Sequence, residues 1–292
     1  MMKKNKTNEC RWFIVLFFIL IGLGLSFPAK QVKAVNVAAG TGSVRRLSVT
    51  AAPKMAASNK KWCEMARTIA HAGGGISKTT YTDSKEALKY SLKRGKRLIE
   101  LDFMFTTDGV LVCKHDWKDN KNKKQSLEQF IKKKTKGGFT PQTAEEAILT
   151  LSSYSNAYLI VDSKEKNIEK VYAKLKELCI NNGKNSFLDR IVVQLYYQSD
   201  YAKVKKVHSF KNWSYTVYKK KPKSTKDYKN LSAFCKKYKI QAVTLPYKYA
   251  TKSRVKIFTK NKITCLAYTV NSKTTYKKLR KMGVQAIFSD YL

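Results

Sequence analysis

Eight short apolar runs alternate with seven longer amphipathic stretches over roughly the last 230 residues, and this constrains the fold more than any other feature. The strand candidates are 67–71, 97–103, 157–162, 190–196, 213–218, 241–245, 263–270 and 284–288. The helix candidates are 83–94, 142–152, 166–181, 198–208, 225–238, 250–260 and 272–282. A helix between consecutive strands makes each connection a crossover, so neighbouring strands run parallel. Eight such units at this length predict a parallel (β/α)8 barrel; an open doubly wound sheet is the alternative. Residues 104–141 are too long for one crossover. They carry an extended segment at 109–114 and a basic insertion after the second strand, 118–136, ending in Gly137-Gly138.

The N-terminus has the pattern of an export signal. Residues 1–11 are basic, and 12–27 are apolar without a charge, shorter than the roughly 20 residues that a membrane span requires. Val32-Lys33-Ala34 supplies a small-residue stop, so 1–34 is expected to be a signal peptide, with an uncleaved anchor as the alternative. Residues 35–61 lack apolar periodicity and form a tether. The folded domain is expected over 62–292, and the protein is expected to be secreted or held at the cell surface. Lys and Arg number 59 against 20 Asp and Glu, a net charge of +39 that attracts polyanions such as anionic membranes or phosphate-bearing wall polymers. No pattern of stacking aromatics and basic residues marks a nucleic-acid module. The six cysteines are scattered and include no Cys-x-x-Cys, which argues for buried free thiols over disulfides or zinc.

Chemistry concentrates in two segments, 69–75 (IAHAGGG) and 98–116 (LIELDFMFTTDGVLVCKHD). Side chains alternate along a strand, so Leu98, Glu100 and Asp102 share one face and Ile99, Leu101 and Phe103 the other. The apolar face suits helices. The acidic face suits the barrel interior at the C-terminal end of the strand, where barrel enzymes hold their active sites. Two buried carboxylates repel unless a cation neutralises them, and oxygen ligands favour Mg²⁺ or Ca²⁺. Ile160, Asp162 and Lys164 repeat the pattern, with Asp162 a third metal oxygen and Lys164 a positive charge for a phosphate. A structural Asp162–Lys164 salt bridge is the competing reading. His71 and His115 each end an extended segment, which suits general acid–base work, and Gly73–Gly75 let the backbone turn tightly beside His71. His208, in a lysine-rich helix, is expected at the surface.

These motifs, in this order, resemble the glycerophosphodiester phosphodiesterases of the barrel superfamily that also holds the phosphatidylinositol-specific phospholipases C. The resemblance spans 66–292 and rests on His71, Glu100-x-Asp102, His115-Asp116, Asp162-x-Lys164, AYTVN (267–271) and the closing GVQAIFSDYL. It implies one divalent cation on Glu100, Asp102 and Asp162, acid–base catalysis by His71 and His115, and Lys164 on the substrate. The implied substrates are glycerophosphodiesters, lysophospholipid headgroups or glycerol-phosphate polymers. The chain departs from the family pattern at Ala72, where Arg is usual and for which Lys114 is a candidate replacement charge. It departs also at Asp83 for Asn, Asp162 for Glu and Tyr268 for Trp. The alternative function is a non-catalytic barrel that binds anionic wall polymer or lipid through lysine runs at 202–206 and 219–223.

Overall fold

A computed structural model of the protein describes residues 61–292. The export signal or anchor expected over 1–34, and the tether over 35–61 apart from Lys61, lie outside the described residues. Among the described residues, no helix is long and apolar enough to cross a membrane.

The strands are β1 (Thr68–Ala70), β2 (Leu98–Phe105), β3 (Leu111–Cys113), β4 (Tyr158–Ser163), β5 (Ile191–Leu195), β6 (Asn212–Thr216), β7 (Ala242–Pro246), β8 (Thr264–Tyr268) and β9 (Ala286–Ser289). Eight of them run parallel in the order β1-β9-β8-β7-β6-β5-β4-β2, and β1 pairs with β2 to close the barrel. The open-sheet alternative is thereby overturned. β3 pairs antiparallel with the end of β2. The helices are α1 (Lys85–Lys93), α2 (Leu127–Lys132), α3 (Ala144–Ser152), α4 (Ile168–Asn181), α5 (Asp200–Val207), α6 (Thr225–Lys237), α7 (Lys252–Thr259) and α8 (Lys273–Lys281). Six of them start at a Ser or Thr whose hydroxyl accepts a backbone N–H of the first turn: Ser84, Ser126, Thr143, Ser224, Thr251 and Ser272. Each of these caps satisfies a donor that the helix itself cannot.

Strand alternation sorts the core into two layers. Ile99, Leu101 and Phe103 face outward and pack under the helices together with Leu159, Val161, Val193 and Val243. Leu98, Ile160, Val192, Ala242, Leu266 and Ala286 face inward and fill the barrel, and Trp62 and Cys63 join this inner cluster. The inward positions change character toward the strand ends. Above Leu98 come Glu100 and Asp102, and above Ile160 comes Asp162. A filled apolar interior below and polar groups above leave the C-terminal mouth as the place for a site.

The residues between β2 and α3 form a hairpin through β3, then α2, whose Phe130 packs with Val112 and Trp117 as a small separate cluster. Cys63, Cys113, Cys179, Cys235 and Cys265 are all buried and free, and burial pushes the Cys63 thiol up to about 11. Reactive thiolates require the opposite shift.

Candidate active site

Parallel pairing of β2 with β4 places Asp102 directly beside Asp162, and Glu100 lies one inward position below. Carboxylate oxygens of Glu100, Asp102 and Asp162 all come within 4.8 Å of one another. Glu100 and Asp102 are both buried, as inward positions of a barrel strand should be. Lys164 Nζ reaches Asp102 Oδ1 at 2.7 Å and Asp162 Oδ2 at 2.8 Å. The Asp162–Lys164 salt bridge weighed as the competing reading therefore exists, within a larger cluster. The Tyr196 hydroxyl donates to Asp162 Oδ1.

Three acids around one lysine leave negative charge unbalanced. Burial, with the charges of Asp102 and Asp162 added, pushes Glu100 well above the usual carboxylate range. Burial would raise Asp102 too, but the Lys164 ammonium, assisted by His115, outweighs it and holds that carboxyl low. Glu100 Oε1 and Asp102 Oδ2 are buried without a hydrogen-bond partner among the described residues. Orphaned buried carboxylate oxygens are costly, and a divalent cation is the natural group to satisfy them. An all-oxygen donor set fits Mg²⁺ or Ca²⁺.

His71 lies at the end of β1, 13% exposed, and its Nδ1 meets Asp290 Oδ1 at 2.8 Å. Asn271 donates from Nδ2 to Asp290 Oδ2 at 2.6 Å, and its Oδ1 accepts from the Asp290 N–H and the Ser289 hydroxyl, both at 2.9 Å. The imidazole is therefore held by a carboxylate that is itself held. The glycine run makes this approach feasible. A Cβ on Gly74 would lie 2.2 Å from Ser91 Oγ, and one on Gly75 would lie 2.5 Å from the Tyr291 ring and 2.9 Å from the Asp290 carbonyl. His115 follows β3, and its Nδ1 meets Asp116 Oδ2 at 2.9 Å. Both histidines thus keep Nε2 free, and both line one cavity of about 160 Å³ with Glu100, Asp162 and Lys164. That is below the roughly 300–1,000 Å³ of pockets for drug-sized ligands, so a small polar fragment fits.

At the position where the family has Arg, Ala72 is buried and left-handed (φ 48°), and its N–H donates to Glu100 Oε2 at 2.7 Å. The backbone there holds a carboxylate, and no cation projects from it. Lys114 does not replace that charge: its ammonium lies 3.0 Å from Asp119 and lines a neighbouring cavity. Lys164 is the lysine lining the acid-cluster cavity. Asp83, in place of the family's Asn, is buried and accepts the Asp102 N–H at 3.0 Å, and burial beside Asp102 and Glu100 raises its carboxyl strongly. His208 is half-buried where α5 ends, edge-on to Phe210 at 4.9 Å. It takes no part in the site.

Asp290, Asn271, Tyr196 and Tyr81 belong to the site and were not named as such from sequence. Asp290 and Asn271 lie inside the closing motifs, which was the available signal. Tyr81 and Tyr196 carry no local pattern.

The family model described as "glycerophosphoryl diester phosphodiesterase family" matches residues 74–292. His71 stands three positions ahead of that stretch. No curated protein sequence matches the chain significantly. Among solved structures, a glycerophosphodiester phosphodiesterase from Parabacteroides distasonis superposes with a TM-score of 0.61 at 17% identity, covering 77% of this chain and 92% of that one. A phosphodiesterase from Oleispira antarctica, in complex with the product sn-glycerol-3-phosphate, gives 0.62 at 18% identity over 77% and 93%. A glycerophosphodiester phosphodiesterase from Thermotoga maritima gives 0.54 at 16% identity over 76% and 93%. At these identities the superpositions speak for the barrel, and the sequence model speaks for the chemistry, which is that of an enzyme rather than a binding barrel. The chain belongs to the glycerophosphoryl diester phosphodiesterase family.

Proposed function

We propose that the protein is an exported, metal-dependent hydrolase of glycerophosphodiesters in which His71 and His115 are the acid–base pair. The observation that carries this reading is a cluster of three carboxylates, two of which, Glu100 and Asp162, line one small cavity together with Lys164 and two histidines held at Nδ1.

Glu100, Asp102 and Asp162 would hold the cation, which when bound offsets negative charge on the phosphoryl oxygens. Lys164 adds a positive charge in the same cavity and can contact a non-bridging phosphate oxygen. One imidazole accepts the proton of the attacking oxygen as the new P–O bond forms. The other donates a proton to the leaving alkoxide as the old P–O bond breaks. Asp290 and Asp116 fix the two rings so that Nε2, not Nδ1, faces the substrate. Export is supported by the basic and apolar pattern of residues 1–34, and the net charge of +39 suits a surface rich in anionic polymer or lipid.

The test is turnover of soluble glycerophosphodiesters with Mg²⁺ or Ca²⁺ and with chelator. His71→Ala and His115→Ala should each lower kcat by roughly 10²–10⁴-fold. Turnover indifferent to chelator, or to both substitutions, refutes the reading.

A further inference from the structure

The acid-cluster cavity has a neighbour. A second cavity of about 360 Å³ is bounded by residues 81–83, at the end of loop 76–83, on one side and by residues of the segment 113–136 on the other, and the two cavities share Tyr81 and His115 as walls. Tyr81 stands edge-on between the two imidazoles, its ring 4.6 Å from His71 and 5.2 Å from His115. Its backbone is left-handed at φ 58°, as it is at Ser77, Lys78 and Asp83 of the same loop. Non-glycine residues adopt this region at a cost and are held in it by their surroundings. What the loop achieves is a ring placed, with His115, as a wall common to the two cavities.

The walls of the second cavity differ in chemistry from those of the first. Lys114, Lys118 and Lys136 line it, with Asp116 and Asp119. Both carboxylates are already engaged. Asp116 holds His115 Nδ1 and accepts the Lys118 N–H, and Asp119 lies 3.0 Å from Lys114 and 3.4 Å from Lys133. Lys136 joins no ion pair among the described residues. The third carboxyl, Asp83, is buried and turned onto the Asp102 N–H. Residues 114–136 carry nine lysines against three acids, so the field over this cavity is positive.

We propose that the substrate straddles Tyr81, with its glycerol-phosphate half in the acid-cluster cavity and its leaving alcohol in the second. The second cavity selects a leaving alcohol that bears a phosphate of its own, as in consecutive phosphodiesters of a polyol-phosphate chain. This rests on the acid–base reading of His71 and His115 and adds a direction to it. The bond to the leaving oxygen breaks beside His115, and its electron pair stays on that oxygen, which takes the His115 proton. The incoming water oxygen bonds to phosphorus and yields its proton to His71.

The experiment compares kcat/KM of the purified full-length protein, with Mg²⁺, on three soluble glycerophosphodiesters. Their leaving alcohols are glycerol phosphate, glycerol and choline: anionic, neutral and cationic. The expected order is anionic over neutral over cationic, with about tenfold or more between the extremes at low salt and less at high salt. The double variant Lys118→Glu/Lys136→Glu should lower the anionic-to-cationic ratio about tenfold. Lys277→Glu, on the outer surface of α8, should leave the ratio unchanged. Equal kcat/KM on all three diesters, or a ratio unmoved by the double variant, overturns the proposal while leaving the hydrolase reading intact. Failure to turn over any of the three overturns both.

Discussion

Asp290→Asn should be more damaging than Asp290→Ala, although it is the more conservative change. The reason lies in the network behind the side chain. Asn271 is pinned with its Oδ1 toward the Asp290 N–H and the Ser289 hydroxyl, so its Nδ2 must point at residue 290. An asparagine there must answer with its own carbonyl oxygen. Its NH₂ then faces His71 Nδ1, 2.8 Å away in the present pair. That imidazole is forced to accept at Nδ1 and to carry its proton on Nε2, where it can neither take a proton from a nucleophile nor hold the second proton an acid needs. The expected loss in kcat is the full acid–base contribution, roughly 10²–10⁴-fold. Alanine removes the Asn271 contact and the charge-assisted hydrogen bond to His71, the latter worth about 1.5–3 kcal/mol, or roughly 10–150-fold, and leaves the tautomer free. The assay is steady-state release of glycerol phosphate from a glycerophosphodiester, with thermal melts to verify that both variants are folded. An Asp290→Asn enzyme within about threefold of wild type, or clearly more active than Asp290→Ala, refutes the argument.

Metal removal should interact with pH. Glu100 and Asp83 are raised in the folded state, so the metal-free fold binds protons that the unfolded chain has released. The stability they contribute is complete below the ordinary carboxylate range and is lost as pH rises through their raised values, whereas Asp102, held low, acts only in more acidic solution. Melting temperature in chelator should therefore fall as pH rises above the ordinary carboxylate range, and rescue by Mg²⁺ should grow in the same direction; a rising melting temperature in chelator contradicts this. Lys164→Met leaves Asp102 and Asp162 without their shared cation and should cost about 3–5 kcal/mol in urea unfolding with chelator, partly recovered by Mg²⁺. Gly75→Ala drives a Cβ into the Tyr291 ring and the Asp290 carbonyl, so kcat should fall through displacement of Asp290 even where the variant melts normally.

Much of the barrel is legible from local pattern. All eight expected parallel strands and all seven expected helices are present, because period-two and period-3.6 burial leave distinct traces in sequence. The basic segment after β2 was less legible: α2 is six residues long, and its small apolar cluster of Val112, Trp117 and Phe130 is assembled from three separated positions. Within the site, Glu100, Asp102 and Asp162 were readable because each sits at an inward position near a strand's end. Tyr196 and Tyr81 were not, since nothing near either residue marks the group it meets.

Alternation along individual strands, together with the family's ordered motifs, was enough to indicate a barrel, an acidic inward face and two histidines at strand ends. Closure of the barrel supplied what local pattern does not contain. Pairing β1 with β9 brings Asp290 to His71 across 219 positions of chain, and pairing β2 with β4 sets Asp102 against Asp162. Lys114 and Lys164 read alike in the sequence as lysines at the ends of extended segments. The fold turns one to Asp119 and the second cavity and the other onto the acids, because electrostatic partnership depends on distance in space, and hairpin and barrel geometry set that distance.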